Sequence, residues 1–245
     1  MNKLKISLLP KLNFDVLKVI ALLTMLIDHI GHVLLIHEPV LRIIGRVTFP
    51  IFAFLMTYHL AQKGIFTKYI KRLFPFAVLS TVLIAPFDLI TNGYFHLNIF
   101  WSFLIAITPL FIIEKIQKEK TNKFIKFFVS FLALFLFGTF SNLCDYDITG
   151  FIFIIALYGY FKTKRKIFLF TALIDSLLIN SDHLASYPNI VMSFILVTFL
   201  TTLYLIVQSK HIQTKQKRFL KPWWIFYLFY PVHFFLLYLI KFYYF

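Results

Sequence analysis

The chain has 245 residues, of which 60% are hydrophobic and 20% aromatic, and it carries a formal net charge of +15. Its mean hydropathy of +0.82 is far from that of a soluble globular domain, and its long apolar runs lack the alternating pattern of an outer-membrane barrel. This excludes both classes and predicts an all-α, polytopic integral membrane bundle, in which helices satisfy the backbone hydrogen bonds.

Nine apolar segments follow one another along the chain, and we expect them to form about nine transmembrane helices in one domain over residues 1–245. They cover about 13–36, 41–61, 69–91, 97–114, 124–142, 148–161, 167–180, 188–208 and 223–244. The sixth and seventh have only about 14 residues each, so they either cross with a tilt or form a re-entrant hairpin. The N-terminus lacks the pattern of a cleaved signal peptide, so we expect the first helix to be retained.

Basic residues fall almost entirely in alternate connections between these segments. These are the N-terminal arm, Lys63 to Arg72, Lys115 to Lys126, Lys162 to Lys166 and Lys210 to Lys221, whereas the other connections hold Glu38, Asp145, Asp147 and Asp182. This alternation is the positive-inside pattern, which predicts a cytoplasmic N-terminus. We therefore expect the basic loops to contact anionic lipids or an anionic cytosolic cofactor such as a CoA ester, and not nucleic acid.

The first predicted helix carries ionisable residues at membrane depth, in Thr24-Met-Leu-Ile-Asp-His-Ile-Gly31 and at His32. Inserting such a residue into the membrane costs about 2.5–3.5 kcal/mol on insertion scales. A structural or functional role is therefore expected for Asp28 and His29. The second helix opens with Arg42 and Arg46. Asp28 can either accept a hydrogen bond from an imidazole, which suits a general base, or pair with Arg46 only to fix helix packing.

With this topology, further polar residues share the outer half of the membrane. They are Asp88, His96, Asn98, Asp145, Asp147 and His183. His233 lies near the middle of the ninth predicted helix. A polar cavity that opens outward is the simplest arrangement that keeps these groups solvated, and we expect one.

Two motifs resemble the TraX family, named for the conjugation protein that acetylates the N-terminus of F-type pilin. They are Leu17-Lys-Val-Ile-Ala-Leu-Leu-Thr-Met-Leu-Ile-Asp-His-Ile-Gly31 and Leu41-Arg-Ile-Ile-Gly-Arg-Val-Thr-Phe-Pro-Ile-Phe-Ala-Phe-Leu55. Weaker similarities are His96-Leu-Asn-Ile-Phe100, Asp145-Tyr-Asp-Ile-Thr-Gly150 and Tyr227-Leu-Phe-Tyr-Pro-Val-His233. The chain departs from the family pattern at Tyr58-His59 and at Asp147.

TraX proteins in turn resemble multi-span membrane acyltransferases, and this relation implies a CoA-dependent acetyltransferase of the bacterial inner (cytoplasmic) membrane. Acetyl-CoA would be the acyl donor, and the outer acceptor an amine or hydroxyl on a pilin, a surface glycan or a small molecule. His29, oriented by Asp28, would act as general base or transient acyl carrier. Arg46, with Asn98, would stabilise the oxyanion or hold the cofactor. Further expected binding residues are Arg42, Asp145, His233 and His32.

Two other functions fit the same residues. A proton-coupled transporter or flippase would use Asp28 and His29 as a proton relay, although the sequence shows no inverted repeat with paired broken helices. A non-catalytic scaffold would need Asp28, His29 and Arg46 only for folding or assembly. The sequence predicts no metal site and leaves oligomerisation open.

Overall fold

The computed structural model describes residues 13–93, 96–180, 190–209, 212 and 222–244, and this part of the chain is helical without any strand. Its helices are α1 (Phe14–Val33), α2 (Pro39–Gly45), α3 (Thr48–Lys63), α4 (Phe66–Asn92), α5 (Ile99–Ile116), α6 (Lys123–Phe140), α7 (Asp147–Thr163), α8 (Lys166–Leu178), α9 (Val191–Gln208) and α10 (Trp224–Tyr244). Every predicted segment contains a helix, and the second is interrupted between α2 and α3. Asp182, His183, the N-terminal arm and the basic residues of the last connection lie outside the described residues.

Seven helical segments of the described chain are long and apolar enough to cross a membrane, which makes this a multi-pass membrane protein. They are Phe14–Val33, Pro39–Lys63, Phe66–Ile90, Ile99–Ile116, Lys123–Leu143, Val191–Gln208 and Trp224–Tyr244. Helix α8 has only 13 residues and is about 20 Å long, less than the roughly 30 Å hydrocarbon core. Helix α7 is also short, with 17 residues. The count of nine spans and the cytoplasmic N-terminus stay predictions.

Contacts between helix termini give the bundle two ends of different chemistry. At one end α1, α4 and α10 begin and α3 ends, and there the Arg72 guanidinium lies 4.0 Å from the ring centre of Trp223. We call this the basic end, defined by Lys18, Lys63, Lys68 and Arg72. At the other end α4 ends and α7 begins, and we call it the acidic end, defined by Asp88, Asp145 and Asp147. Because α4 carries Lys68 near its start and Asp88 near its finish, the ends lie about 30 Å apart.

Helices α1 and α2 approach closely because glycine occupies their contact. A Cβ atom added to Gly45 would lie 2.0 Å from Oδ1 of Asp28, and one added to Gly31 would lie 2.8 Å from Cβ of Leu41. Neither position has room for a larger side chain. The small residue between Arg42 and Arg46 thus lets the Asp28 carboxylate lie against the α2 backbone.

We expect Gly45→Ala to lower the free energy of unfolding by about 1–3 kcal/mol, because the new methyl group must displace the Asp28 carboxylate. Unfolding of the detergent-solubilised protein in a denaturing detergent measures the change. Gly138→Ala is the matched control, since its Cβ would lie 3.4 Å from the Phe151 ring, at the edge of ordinary contact. Equal stability of the two variants would contradict the close approach of α1 and α2.

Candidate functional site

A cavity of about 550 Å³ lies inside the bundle, within the size range of ligand-binding sites. It is lined at the basic end by Lys18, Lys63, Lys68 and Arg72, in the middle by Asp28, His29, Arg42 and Arg46, and at the acidic end by Asp88, His96, Asn98 and Asp145. The sequence led us to expect a polar cavity that opens outward. The structure differs because α4 contributes lining residues along most of its length, so the cavity also reaches the basic end.

Asp28 lies between two arginines on the cavity wall. Its Oδ2 atom is 2.8 Å from Nη1 of Arg42, and its Oδ1 atom is 2.9 Å from Nη2 of Arg46. All three residues are buried. Two guanidinium groups around one carboxylate leave a net positive charge beside the cavity, which favours a bound anion or an oxyanion that forms during a reaction.

Arg46 also ties the central helices together. Its Nε donates to the carbonyl oxygen of Arg42 at 3.1 Å, and its Nη1 donates to Oδ1 of Asn180 at 3.1 Å. Asn180 in turn donates to Oγ1 of Thr198 at 2.6 Å. This network connects α1 and α2 with α9, so Arg46 holds the site together as well as contributing charge. Asn180 and Thr198 were not predicted as site residues, since neither belongs to a motif.

His29 has a different partner from the one predicted. Its Nδ1 lies 2.7 Å from Nε2 of His233 in α10, and the two rings are nearly parallel with centroids 4.9 Å apart. The expected orientation of His29 by the Asp28 carboxylate is therefore wrong. The reason is that consecutive helix residues point about 100° apart, so that Asp28 faces α2 while His29 faces α10.

Asn98 is engaged in helix packing. Its side-chain nitrogen donates to the carbonyl oxygen of Ala77 at 3.0 Å and to Oγ1 of Thr81 at 3.1 Å. Its side-chain oxygen caps α5 by accepting from the Phe100 N–H at 3.1 Å. Because both amide hydrogens are already donated, the role of oxyanion donor predicted for Asn98 does not fit this geometry. His32, by contrast, lines the cavity beside Phe234, with ring centroids 6.3 Å apart.

The sequence profile of the TraX protein family matches residues 13–241. The chain belongs to the TraX family. No curated protein and no solved structure gives a significant match. In this family member the two motifs of the sequence analysis lie on α1 and on α2–α3, and both contribute residues to the one cavity.

At the acidic end of this TraX protein, Asp145 is held by its backbone in the connection before α7. Its N–H donates to the Leu97 carbonyl at 2.9 Å, and its carbonyl accepts from the Ser102 hydroxyl at 2.6 Å. Burial raises the pKa of the Asp145 carboxyl to about 7, with the negative charges of Asp88 and Asp147 acting in the same direction and Arg42 opposing them. Burial therefore favours the neutral form of this carboxyl.

The basic end combines cations with aromatic rings. Arg72 stacks on Trp223, and Lys18 pairs with Asp15 at 2.7 Å while its ammonium lies 5.1 Å from the Phe226 ring centre. Lys63 and Lys68 are exposed and line the same mouth. Lys63, Lys68 and Arg72 belong to one predicted basic connection, but their meeting with Lys18 and Trp223 was not predicted. In the described part of the chain, no group of His, Cys, Asp and Glu residues is arranged to hold a metal ion.

Proposed function

We propose that this TraX protein is a membrane acyltransferase that moves an acyl group, with acetyl-CoA as donor, to an amine or hydroxyl acceptor. The observation that carries the proposal is that this cavity has cations and aromatic rings at one end and the His29 imidazole between its ends. The basic end would face the cytoplasm of a bacterial cell. The acceptor, on a pilin, a surface glycan or a small molecule, would enter at the acidic end.

The basic end suits the nucleotide part of acetyl-CoA. Lys63, Lys68 and Arg72 supply positive charge for phosphate groups, and Trp223 and Tyr227 supply rings against which a base can stack. Along α1, Lys18 and His29 are eleven positions apart, which corresponds to about 16 Å. The extended pantetheine arm of CoA can cover such a distance, so the thioester of a donor bound at the basic end would reach His29.

The central residues supply the groups that acyl transfer requires. His29 removes the proton from the acceptor N–H or O–H as that atom attacks the thioester carbonyl carbon. The oxyanion that forms lies beside the positive charge of Arg42 and Arg46. When it collapses, the carbon–sulfur bond breaks, and the thiolate of CoA takes the proton from His29. In a two-step variant, the imidazole itself attacks and carries the acyl group.

A proton-coupled transporter is the second candidate, because a cavity lined from both ends also suits an alternating-access path. It predicts substrate uptake driven by a pH gradient in proteoliposomes, without consumption of acetyl-CoA. Acyl transfer predicts consumption of acetyl-CoA without a gradient. The two functions are therefore distinguished by measuring uptake and CoA release on the same preparation.

The test of acyl transfer uses the full chain in lipid nanodiscs with radiolabelled acetyl-CoA, with and without envelope extract. We expect labelled acceptor and release of CoA. In the double variant Lys63→Gln/Lys68→Gln, the KM for acetyl-CoA should rise about three- to tenfold, because each exposed charge contact contributes about 0.2–1 kcal/mol.

The matched control is Lys120→Gln/Lys123→Gln, which removes two exposed lysines near the same end that do not line the cavity. Its KM should stay within twofold of the native value. A folded protein that neither binds nor consumes acetyl-CoA would rule out the proposed function. An equal rise of the KM in both double variants would show that Lys63 and Lys68 make no specific contact with the donor.

A further inference from the structure

We infer that His233 is a positioning residue that fixes the tautomer of His29, with the proton on Nδ1 and the lone pair on the Nε2 atom of His29. The inference deepens the proposed acyl transfer and rests on it for the role of that lone pair. The tautomer itself is a property of the protein without substrate, and can be measured independently of any activity.

The backbone of α10 fixes the tautomer of His233. Nδ1 of His233 forms a hydrogen bond with the carbonyl oxygen of Phe229, one helical turn earlier. A carbonyl oxygen only accepts, so the proton of this bond belongs to Nδ1 of His233. In a neutral imidazole the other ring nitrogen is then an acceptor. Nε2 of His233 therefore carries a lone pair.

The second step follows from the contact between the two histidines. Nε2 of His233 lies 2.7 Å from Nδ1 of His29. Because Nε2 of His233 accepts, Nδ1 of His29 is the donor and carries its proton. With both rings neutral, this is the one pair of tautomers that satisfies both hydrogen bonds, and it leaves Nε2 of His29 unprotonated.

Packing holds the two rings in this arrangement. The His29 ring lies 4.2 Å from the Phe234 ring and 5.6 Å from the Tyr230 ring, measured between centroids. Both neighbours belong to the same turn of α10 as His233. His29 lines the cavity, whereas His233 is not one of the described residues that line it. His233 is buried behind His29. His233 thus acts through His29, and His29 is the residue that ligands can reach.

This arrangement matters because the neutral side chain of a free histidine in water favours the opposite tautomer, with the proton on Nε2. In that form the exposed nitrogen would be a donor and could not accept a proton. A carboxylate or a carbonyl oxygen usually fixes the tautomer of a catalytic histidine. Here the carbonyl of Phe229 acts through a second imidazole, because the nearby Asp28 carboxylate is occupied by Arg42 and Arg46.

The test compares His233→Gln with His233→Leu in nanodiscs containing ¹⁵N-histidine-labelled protein. Gln places an oxygen acceptor close to the position of Nε2, whereas Leu removes the acceptor. Nitrogen NMR, with the His29 signals assigned from their loss in His29→Ala, should show a protonated Nδ1 in the native protein and in His233→Gln. In His233→Leu, the proton should move at least partly to Nε2.

The rate of acyl transfer should change in the same variants as the tautomer of His29. His233→Leu should lower kcat about 10- to 100-fold, the range found when the partner that orients a metal-bound histidine is removed, with the KM for acetyl-CoA within twofold of native. His233→Gln should recover most of the rate. A native His29 protonated on Nε2, or an unchanged tautomer in His233→Leu, would overturn the inference. A tautomer that shifts as expected without acyl transfer by any variant would reject the proposed function and leave this inference standing.

Discussion

Acyl transfer by His29→Ala is expected to be roughly 10²–10⁴-fold slower than by the native protein, the usual contribution of a general base. The variant keeps the Lys63, Lys68 and Arg72 side chains of the basic end, so acetyl-CoA binding should stay within about twofold of native. Single-turnover release of CoA from a preformed complex with acetyl-CoA measures the rate. Equilibrium binding of radiolabelled acetyl-CoA measures the affinity.

His37→Ala provides the matched control. His37 is exposed in the connection between α1 and α2 and does not line the cavity. Its removal should leave both rate and affinity within twofold of native. A His29→Ala variant that transfers the acyl group at the native rate would exclude His29 from the chemistry. Because binding is measured separately, weakened acetyl-CoA binding alone would identify His29 as part of the donor site instead.

The helices could be predicted from the sequence because hydrophobicity in a membrane protein is a local property. Each predicted segment contains a helix, and the family resemblance is confirmed by the match over residues 13–241. The interruption between α2 and α3 was not predicted, although Gly45 and Pro50 lie close to it. In the structure, α2 keeps Gly45 against Asp28 while α3 packs against α1 and α7.

The site itself could be predicted only where its residues are close in sequence. Asp28 and Arg46 belong to neighbouring helices joined by a short connection, so their pairing was one of the alternatives that the spacing allowed. His29 and His233 are 204 positions apart, and no local pattern relates two helices at the opposite ends of a chain. Asn180 is similar, since a short polar side chain after α8 carries no sign that it meets Arg46 across the bundle.

Asp28→Ala is expected to lower the free energy of unfolding by about 3–5 kcal/mol, because it leaves buried charges without their partner. Here two buried guanidinium groups, of Arg42 and Arg46, would lose the carboxylate that lies 2.8 and 2.9 Å from them. Unfolding of the detergent-solubilised protein in a denaturing detergent measures the change. Glu119→Ala, which removes an exposed acidic residue in the connection after α5, should change stability by less than about 0.5 kcal/mol.

A triple variant separates the structural role of this cluster from its chemical role. Replacing Asp28 by Leu and both Arg42 and Arg46 by Met removes all three charges together, and apolar replacements of buried ion clusters are often neutral or stabilising. We expect stability within about 2 kcal/mol of native, but no acyl transfer, because no positive charge remains to stabilise the oxyanion. Native transfer rates in a stable triple variant would show that the cluster only fixes the packing of α1 against α2. Native stability of Asp28→Ala would show that the arginines are not held by this carboxylate.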